Sequence, residues 1–244
     1  MDTAVLEALY RWFNDYVKTF YTEDAPIQAM IVQKEEHSRV VAAHSRELAQ
    51  SLGFDPAATR LAEAAGLCHD VGRFKQATIY RTFRDRDSVD HGRLGVEELT
   101  AEGIAARLAT GDWETLAFAV RWHNAVSIPT EADDNLAAFA KLVRDTDKLD
   151  ICRVLPPAPP ADGCSEQLVD DFLAGRLLFY EDIKTADDRK LVMLSWLYDV
   201  HFPWTVAQMV RRGYIAGLLN ALPSSPGLSA IRRRVEQAVA AKLG

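Results

Sequence analysis

Apolar residues recur every three or four positions along most of the 244-residue chain. This spacing places them on one face of an α-helix, whereas a half-buried strand alternates every second residue. Val5, Leu9, Trp12, Tyr16 and Phe20 show the helical register in the first segment. We find no alternating pattern long enough to predict a strand. The sequence therefore predicts an all-α protein.

Capping signals divide the predicted helices. Asp55 followed by Pro56 predicts the start of a helix, because aspartate caps well and proline is tolerated in the first turn. We expect that helix to stop at Gly72. From Gly72 to Gly92, charges and aromatic residues follow no clean period. We expect an ordered loop or lid over this stretch.

A proline-rich stretch at residues 156–160 indicates a stiff connector. Beyond it, helical periodicity returns in four segments, at residues 164–184, 187–200, 206–222 and 228–243. We therefore predict a helical core over residues 1–155, with the N-terminal helix included. Residues 156–244 are predicted to form a C-terminal helical extension packed on the same domain.

The charge balance and the cysteines limit the class of protein. With 28 basic and 35 acidic residues, the net charge is −7, so no global basic field attracts nucleic acid or an anionic membrane. Charged residues such as Glu7 and Arg11 interrupt the first segment, which predicts neither a signal peptide nor a membrane span. Cys68, Cys152 and Cys164 form no disulfide pattern, so we expect a cytoplasmic protein. The oligomeric state is left open.

Two predicted helices carry an ionisable residue on their apolar stripe. His37 shares its stripe with Val41 and Leu48, and Asp147 lies in the middle of a stripe that includes Val143. A carboxylate that faces a core costs several kcal/mol unless a cation or hydrogen-bond donors compensate it. Something must therefore neutralise Asp147.

Further histidines lie on inward faces. His69 and Asp70 follow a run of small apolar residues, while His91 begins a helix and His123 ends one. Each histidine alone indicates a hydrogen-bonded core residue, since a neutral imidazole needs only one donor and one acceptor. Five of the six histidines nevertheless fall between positions 37 and 123. Imidazoles combined with carboxylates are typical ligands of transition metals, so the group predicts a metal site.

The order of these residues resembles the H…HD…D signature of the HD-domain superfamily, with His37, the dyad His69-Asp70, and Asp147 at the signature positions. The surrounding strings HSRVVAAHSRELAQSLG, AAGLCHDVGRF and LVRDTDKLD are similar as well. The resemblance covers at least residues 30–155. It implies an HD-domain helical bundle.

The resemblance also implies a ligand set. The four signature residues would hold one divalent ion, and Asp70 would reach a second. Subgroups with two ions add two histidines between the dyad and the last aspartate, where this chain has His91 and His123. His44 and His201 are interpreted as structural. The expected ligands are His37, His69, Asp70, His91, His123 and Asp147.

The implied chemistry is phosphoryl transfer to water. Two divalent ions carry a charge of +4 and two carboxylates −2, so the site favours an anion. Metal-bound water loses a proton at a pKa near about 7 and gives a hydroxide nucleophile. The resemblance implies a metal-dependent phosphohydrolase acting on a nucleotide or another small phosphate ester, with Mn, Fe, Mg or Zn as the metal. Its catalytic residues would be His69, Asp70 and Arg73.

A basic stretch follows the dyad. Arg73, Lys75, Arg81 and Arg84 are predicted to bind the anionic substrate, since arginine forks suit phosphate. The alternative is a solvated loop whose charges are balanced by neighbouring aspartates.

Differences from the sequence patterns of HD subgroups reduce the number of candidate activities. Arg73 stands where many HD phosphohydrolases have lysine and where 5′-deoxynucleotidases have glutamate, and no Gly-Tyr-Pro element is present. The 5′-deoxynucleotidase and cyclic-di-GMP phosphodiesterase types are therefore disfavoured. Two alternatives stay open: an HD-fold mixed-valent di-iron oxygenase, and a non-catalytic sensor that binds metal or nucleotide.

Overall fold

The structure, a computed structural model, describes residues 1–161, 163–224 and 227–244. Within these ranges the chain forms α-helices and short 3-10 turns, and no strand occurs, which confirms the all-α prediction. None of the described helices is both long enough and apolar enough to cross a membrane. The chain divides into two compact units, residues 1–147 and 148–244. The predicted boundary after residue 155 and the packing of the extension on the core stay predictions.

The first unit contains the helices that supply the candidate site. They are α1 (Thr3–Lys18), α2 (Ala25–Ser51), α3 (Pro56–Cys68), α4 (Val71–Tyr80), α5 (His91–Ala101), α6 (Thr110–Trp122) and α7 (Asp134–Val154), the last of which continues beyond residue 147.

Aspartate side chains start four of these helices. Asp55 accepts hydrogen bonds of 2.8 Å from the backbone N–H groups of Ala57 and Ala58, as the Asp-Pro signal predicts. Asp2, Asp24 and Asp90 cap α1, α2 and α5 in the same way. These bonds satisfy N–H groups that have no partner inside the helix.

The prediction of a loop from Gly72 onward is wrong in its first half, because α4 occupies that stretch. Gly72 does not end a helix. A Cβ atom on Gly72 would collide with the backbone oxygen of His91 and lie 2.7 Å from the nitrogen of Gly95. Glycine is required here because the first turns of α4 and α5 approach too closely for a side chain, and this contact brings His91 beside the His69-Asp70 dyad.

The second unit contains α8 (Glu166–Leu173), α9 (Asp188–Ser195), α10 (Pro203–Arg211), α11 (Tyr214–Asn220) and α12 (Leu228–Leu243). Its core includes Phe172, Leu191 and Val206, all fully buried. The predicted helix 206–222 is divided in two because Gly213 adopts a φ of 73°, which a right-handed helix cannot contain. The predicted helix 164–184 is shorter in the structure, where it corresponds to α8 and ends at Leu173.

Asp187, Asp188 and Lys190 are buried at the start of α9 and form an ionic network there. Asp187 accepts hydrogen bonds from the backbone of Ala161 and Gly163, and Asp188 accepts four, two of them from Ser165. Lys190 donates to Asp187 and to two backbone carbonyls. Burial raises the pKa of Asp188, but the hydrogen bonds from Ser165 and the backbone outweigh it and hold that pKa below its usual value.

We expect Asp188→Ala to destabilise α9 by about 2 kcal/mol, because four partly buried hydrogen bonds lose their acceptor. Hydrogen exchange of the α9 amides should then be about 30-fold faster at pH 7. Since folding lowers the pKa of Asp188, its stabilisation is present above about pH 4 and is lost as the pH falls through the folded pKa. The difference between the proteins should therefore shrink in acid. Asp182→Ala, at an exposed site, should leave the exchange unchanged; equal exchange in both variants would contradict the assignment.

Candidate metal centre

The first unit brings six ionisable side chains together, and they are the six that the sequence predicts as ligands. Their positions are His37 on α2, His69 and Asp70 between α3 and α4, His91 at the start of α5, His123 directly after α6, and Asp147 on α7. Five of these residues are buried, and the side chain of Asp147 is 17% exposed.

Four of the six form a first cluster. The Nε2 atom of His37 lies 3.0 Å from Oδ1 of Asp147 and 3.2 Å from Nε2 of His69. Oδ2 of Asp70 lies 3.5 Å from the His37 nitrogen and 3.3 Å from the His69 nitrogen. Ligands about 2.1 Å from one metal are about 3.0 Å apart at right angles and about 3.4 Å apart in a tetrahedron. His37, His69 and Asp70 therefore have the spacing of a metal site, and Asp147 adjoins them through its contacts with His37 and His69.

The other oxygen of Asp70 faces a second cluster. Its Oδ1 lies 3.4 Å from Nε2 of His91 and 3.7 Å from Nε2 of His123, and these two nitrogens are 3.0 Å apart. The two carboxylate oxygens of Asp70 thus point to different pairs of histidines, and the pairs adjoin, since ligand atoms of His69, His123 and Asp147 lie within 4.8 Å of one another. A carboxylate in this arrangement can bridge two cations.

The tautomers of the imidazoles show that the donor set suits a cation. Nδ1 of His123 lies 2.8 Å from the carbonyl oxygen of Val120, and Nδ1 of His91 lies 2.6 Å from Oδ2 of Asp85. Each Nδ1 must carry the hydrogen it donates, so in the neutral rings both Nε2 atoms are acceptors. Two acceptors 3.0 Å apart repel unless a proton or a metal ion lies between them. The residues present therefore fit a divalent metal.

Protonation in the metal-free protein follows the same charges. Burial lowers the pKa of His69, but the carboxylates of Asp70 and Asp147 outweigh it and raise that pKa to about 10. Burial, with the positive charge of Arg73, lowers the pKa of His91 to about 3. Both carboxyl groups have a pKa well below the usual value, because neighbouring cations and donors overcome the effect of burial. His91 is therefore neutral at pH 7, while a metal at the first cluster must displace the proton of His69.

Lys34 belongs to the centre, and the sequence analysis missed it. Its Nζ lies 2.6 Å from Oδ2 of Asp70, and its side chain is 15% exposed. Lys34 precedes His37 by three residues on α2, so both side chains lie on one face of the helix. The three-residue spacing from His37 could have indicated that Lys34 faces the metal centre, although a lysine on an amphipathic helix ordinarily faces solvent.

The structure brings only one of the four predicted substrate-binding residues to the centre. Nε of Arg73 is buried 3.5 Å from Oδ1 of Asp70, while its Nη1 donates to the side chains of Gln76 and Asp85 and to the carbonyl of Phe83. The other three form ion pairs away from the dyad: Lys75 with Glu98 at 2.7 Å, Arg81 with Asp24 at 2.7 Å, and Arg84 with Asp87 at 3.7 Å.

Comparison with known proteins agrees with the geometry. The family model of the HD domain matches residues 35–152, a range that contains all six clustered side chains. No curated protein and no solved structure matches the chain significantly. HD domains bind divalent metals, and hydrolases of phosphate compounds are typical of the superfamily. Residues 35–152 of this chain therefore belong to the HD-domain family.

Proposed function

We propose that the chain is a phosphohydrolase that uses two divalent cations to hydrolyse a small phosphate ester, with nucleotides as the first class to test. The observation that carries the proposal is the position of Asp70, whose two oxygens face separate histidine clusters 3.3 to 3.7 Å away. In enzymes with paired metals, cations held by a shared ligand clamp both oxygens of a displacement at phosphorus.

The six clustered residues would bind two cations. His37, His69 and Asp147 would hold the first cation, His91 and His123 would hold the second, and Asp70 would offer one oxygen to each. Bound divalent cations supply an acidified water molecule and stabilise negative charge on the phosphoryl oxygens. Because the six ligands contribute only two negative charges, the loaded site attracts an anion.

Lys34 and Asp147 indicate where the substrate enters. Their side chains are 15% and 17% exposed, whereas His69 is fully buried. We infer that the phosphate approaches on this side, where Nζ of Lys34 can donate a hydrogen bond to a phosphoryl oxygen. Phe83 flanks the entrance, since its ring centroid lies 5.4 Å from the same nitrogen. Substrate contacts of Lys75, Arg81 and Arg84 stay predictions.

The test is a turnover assay on protein of known metal content. Metal-depleted protein is loaded with Mn²⁺ and incubated with a panel of nucleotides and sugar phosphates, and released phosphate is measured. We expect phosphate release that requires the metal and disappears with EDTA.

Two results would contradict the proposal. If the iron-loaded protein consumes O₂ with a mixed-valent spectroscopic signal and releases no phosphate, the centre is an oxygenase. If metal and nucleotide bind but no product forms with any metal, the chain is a sensor. The ligand types alone suit all three functions.

The cysteines and the charge balance bear on the compartment and on the partner. All three cysteines are free, and two of them are buried. We propose a cytoplasmic enzyme whose main partner is its small phosphorylated substrate rather than nucleic acid.

A further inference from the structure

The imidazole of His91 is held differently from two of its partners in the centre. Nδ1 of His69 donates to the carbonyl of Gly66, and Nδ1 of His123 donates to that of Val120, each three residues earlier. Both histidines follow the C-terminal end of a helix, where carbonyls are left without partners. His91 is the first residue of α5, and a helix start offers free N–H groups instead. Its Nδ1 therefore needs an acceptor from elsewhere.

Asp85 supplies that acceptor. Its Oδ2 lies 2.6 Å from Nδ1 of His91, and Asn124 donates to the same oxygen at 3.1 Å. Oδ1 accepts from Nη1 of Arg73 at 2.8 Å and from Nε2 of Gln76 at 3.0 Å. Four side-chain donors, with the backbone N–H of His91 at 3.5 Å as a fifth, thus fix one carboxylate, and Gln76 is fully buried.

The same contacts favour the ionised form of Asp85. Its two oxygens accept from four side-chain donors, one of them the guanidinium of Arg73, and a carboxylate paired with a guanidinium is charged at neutral pH. A carboxylate that accepts from Nδ1 keeps the hydrogen off Nε2, fixes the plane of the ring and makes Nε2 a stronger metal ligand.

We propose that Asp85 is a positioning residue that sets the affinity of the second cation by orienting His91. The inference rests on the proposed two-cation centre. It applies to the second cluster because that cluster has three protein ligands, Asp70, His91 and His123, so a poorly oriented His91 leaves two. The 3-10 turn that carries Asp85 thereby becomes part of the metal site, although it contributes no ligand.

The test compares Asp85→Asn with Asp87→Asn. Asp87 lies on the same turn, is 48% exposed and pairs only with Arg84 and Arg86 among the contacts observed. Titration of the metal-free full chain with Mn²⁺ gives both affinities. We expect Asp85→Asn to weaken the second ion by about 10- to 100-fold and the first by less than about threefold. Asp87→Asn should bind both ions like the wild type.

A second measurement separates positioning from a structural role. ¹⁵N-histidine NMR should show His91 as the Nδ1–H tautomer in the wild type and as a tautomer mixture in Asp85→Asn, with His123 unchanged. In a His91→Ala background, adding Asp85→Asn should change Mn²⁺ binding no further. If Asp85→Asn fails to fold, Asp85→Glu replaces it, because the longer side chain keeps the charge but moves the acceptor from His91; the same selective loss is expected.

The outcomes distinguish the inference from the proposed function. A wild type that binds only one ion overturns the two-cation centre and the inference with it. A wild type with two ions, combined with an Asp85→Asn variant that binds both normally or loses both alike, overturns the inference alone.

Discussion

Asp70→Ala is expected to empty both halves of the centre. Bound Mn²⁺ should fall from two ions to fewer than one per chain, and phosphate release should drop by at least about 1000-fold, equivalent to about 4 kcal/mol of lost transition-state stabilisation. The reason is geometric, since one side chain supplies an oxygen to each histidine cluster. Metal content measured by mass spectrometry and phosphate release on the same preparation check the prediction.

Glu63→Ala is the matched control for Asp70→Ala. Glu63 is also a buried carboxylate of the first unit, but it accepts a hydrogen bond from Tyr10 at 2.8 Å and pairs with Arg46. Its loss should lower the melting temperature while two ions still bind. An Asp70→Ala variant that retains both ions, or a Glu63→Ala variant that loses them, would show that metal binding does not depend on the bridging position.

The sequence predicted the parts of the fold and site that depend on local pattern. The helical register identified His37 and Asp147 as inward-facing ionisable residues, and both belong to the first cluster. Asp55 capped α3 as expected because a cap depends only on neighbouring residues. The convergence of the histidines was recognised through the order of the HD signature, since periodicity alone cannot tell which helices are neighbours in space.

The missed features depend on tertiary contacts. Gly72 resembled a helix stop, but its lack of a side chain is required by the close passage of α5. Arg73 resembled a free substrate ligand, yet the segment 83–85 folds back and supplies the Phe83 carbonyl and the Asp85 carboxylate as its acceptors. Lys34 and Asp85 carried no motif of their own. Lys34 contacts Asp70, 36 residues later, and Asp85 contacts His91, six residues later. These separations in sequence do not predict the contacts, which form only when the helices pack.

This pattern has a physical consequence for the centre. The identity of the ligands can be recognised from local sequence. Their orientation comes from their own helix for His69 and His123, but from Asp85, outside its helix, for His91. A residue that orients a ligand in this way increases metal affinity, because an imidazole that is not held in place loses rotamer freedom when the metal binds. Substitutions around the centre should therefore separate into those that remove an ion and those that weaken it.

His37→Ala and His44→Ala provide the sharpest comparison on one helix. Both histidines are buried on α2, two turns apart, but only His37 belongs to a cluster. We expect His37→Ala to weaken the first ion by more than about 100-fold, beyond the 10- to 100-fold typical of residues outside the ligand set, and to reduce turnover by about 1000-fold. His44→Ala should cost about 1 to 3 kcal/mol of stability, from its lost packing and hydrogen bonding, and should keep both ions.

Thermal unfolding with and without Mn²⁺ separates the two variants. An ion present at a thousand times its dissociation constant stabilises the folded state by about 4 kcal/mol, which corresponds to about 8 to 16 °C in a protein of this size. The wild type and His44→Ala should both show this rise, with His44→Ala starting from a lower melting temperature. His37→Ala should keep only the part of the rise that the second ion contributes, because Asp147, Asp70 and His69 then lack the nitrogen that completes the site of the first ion. A full Mn²⁺-dependent rise in His37→Ala would remove this histidine from the ligand set.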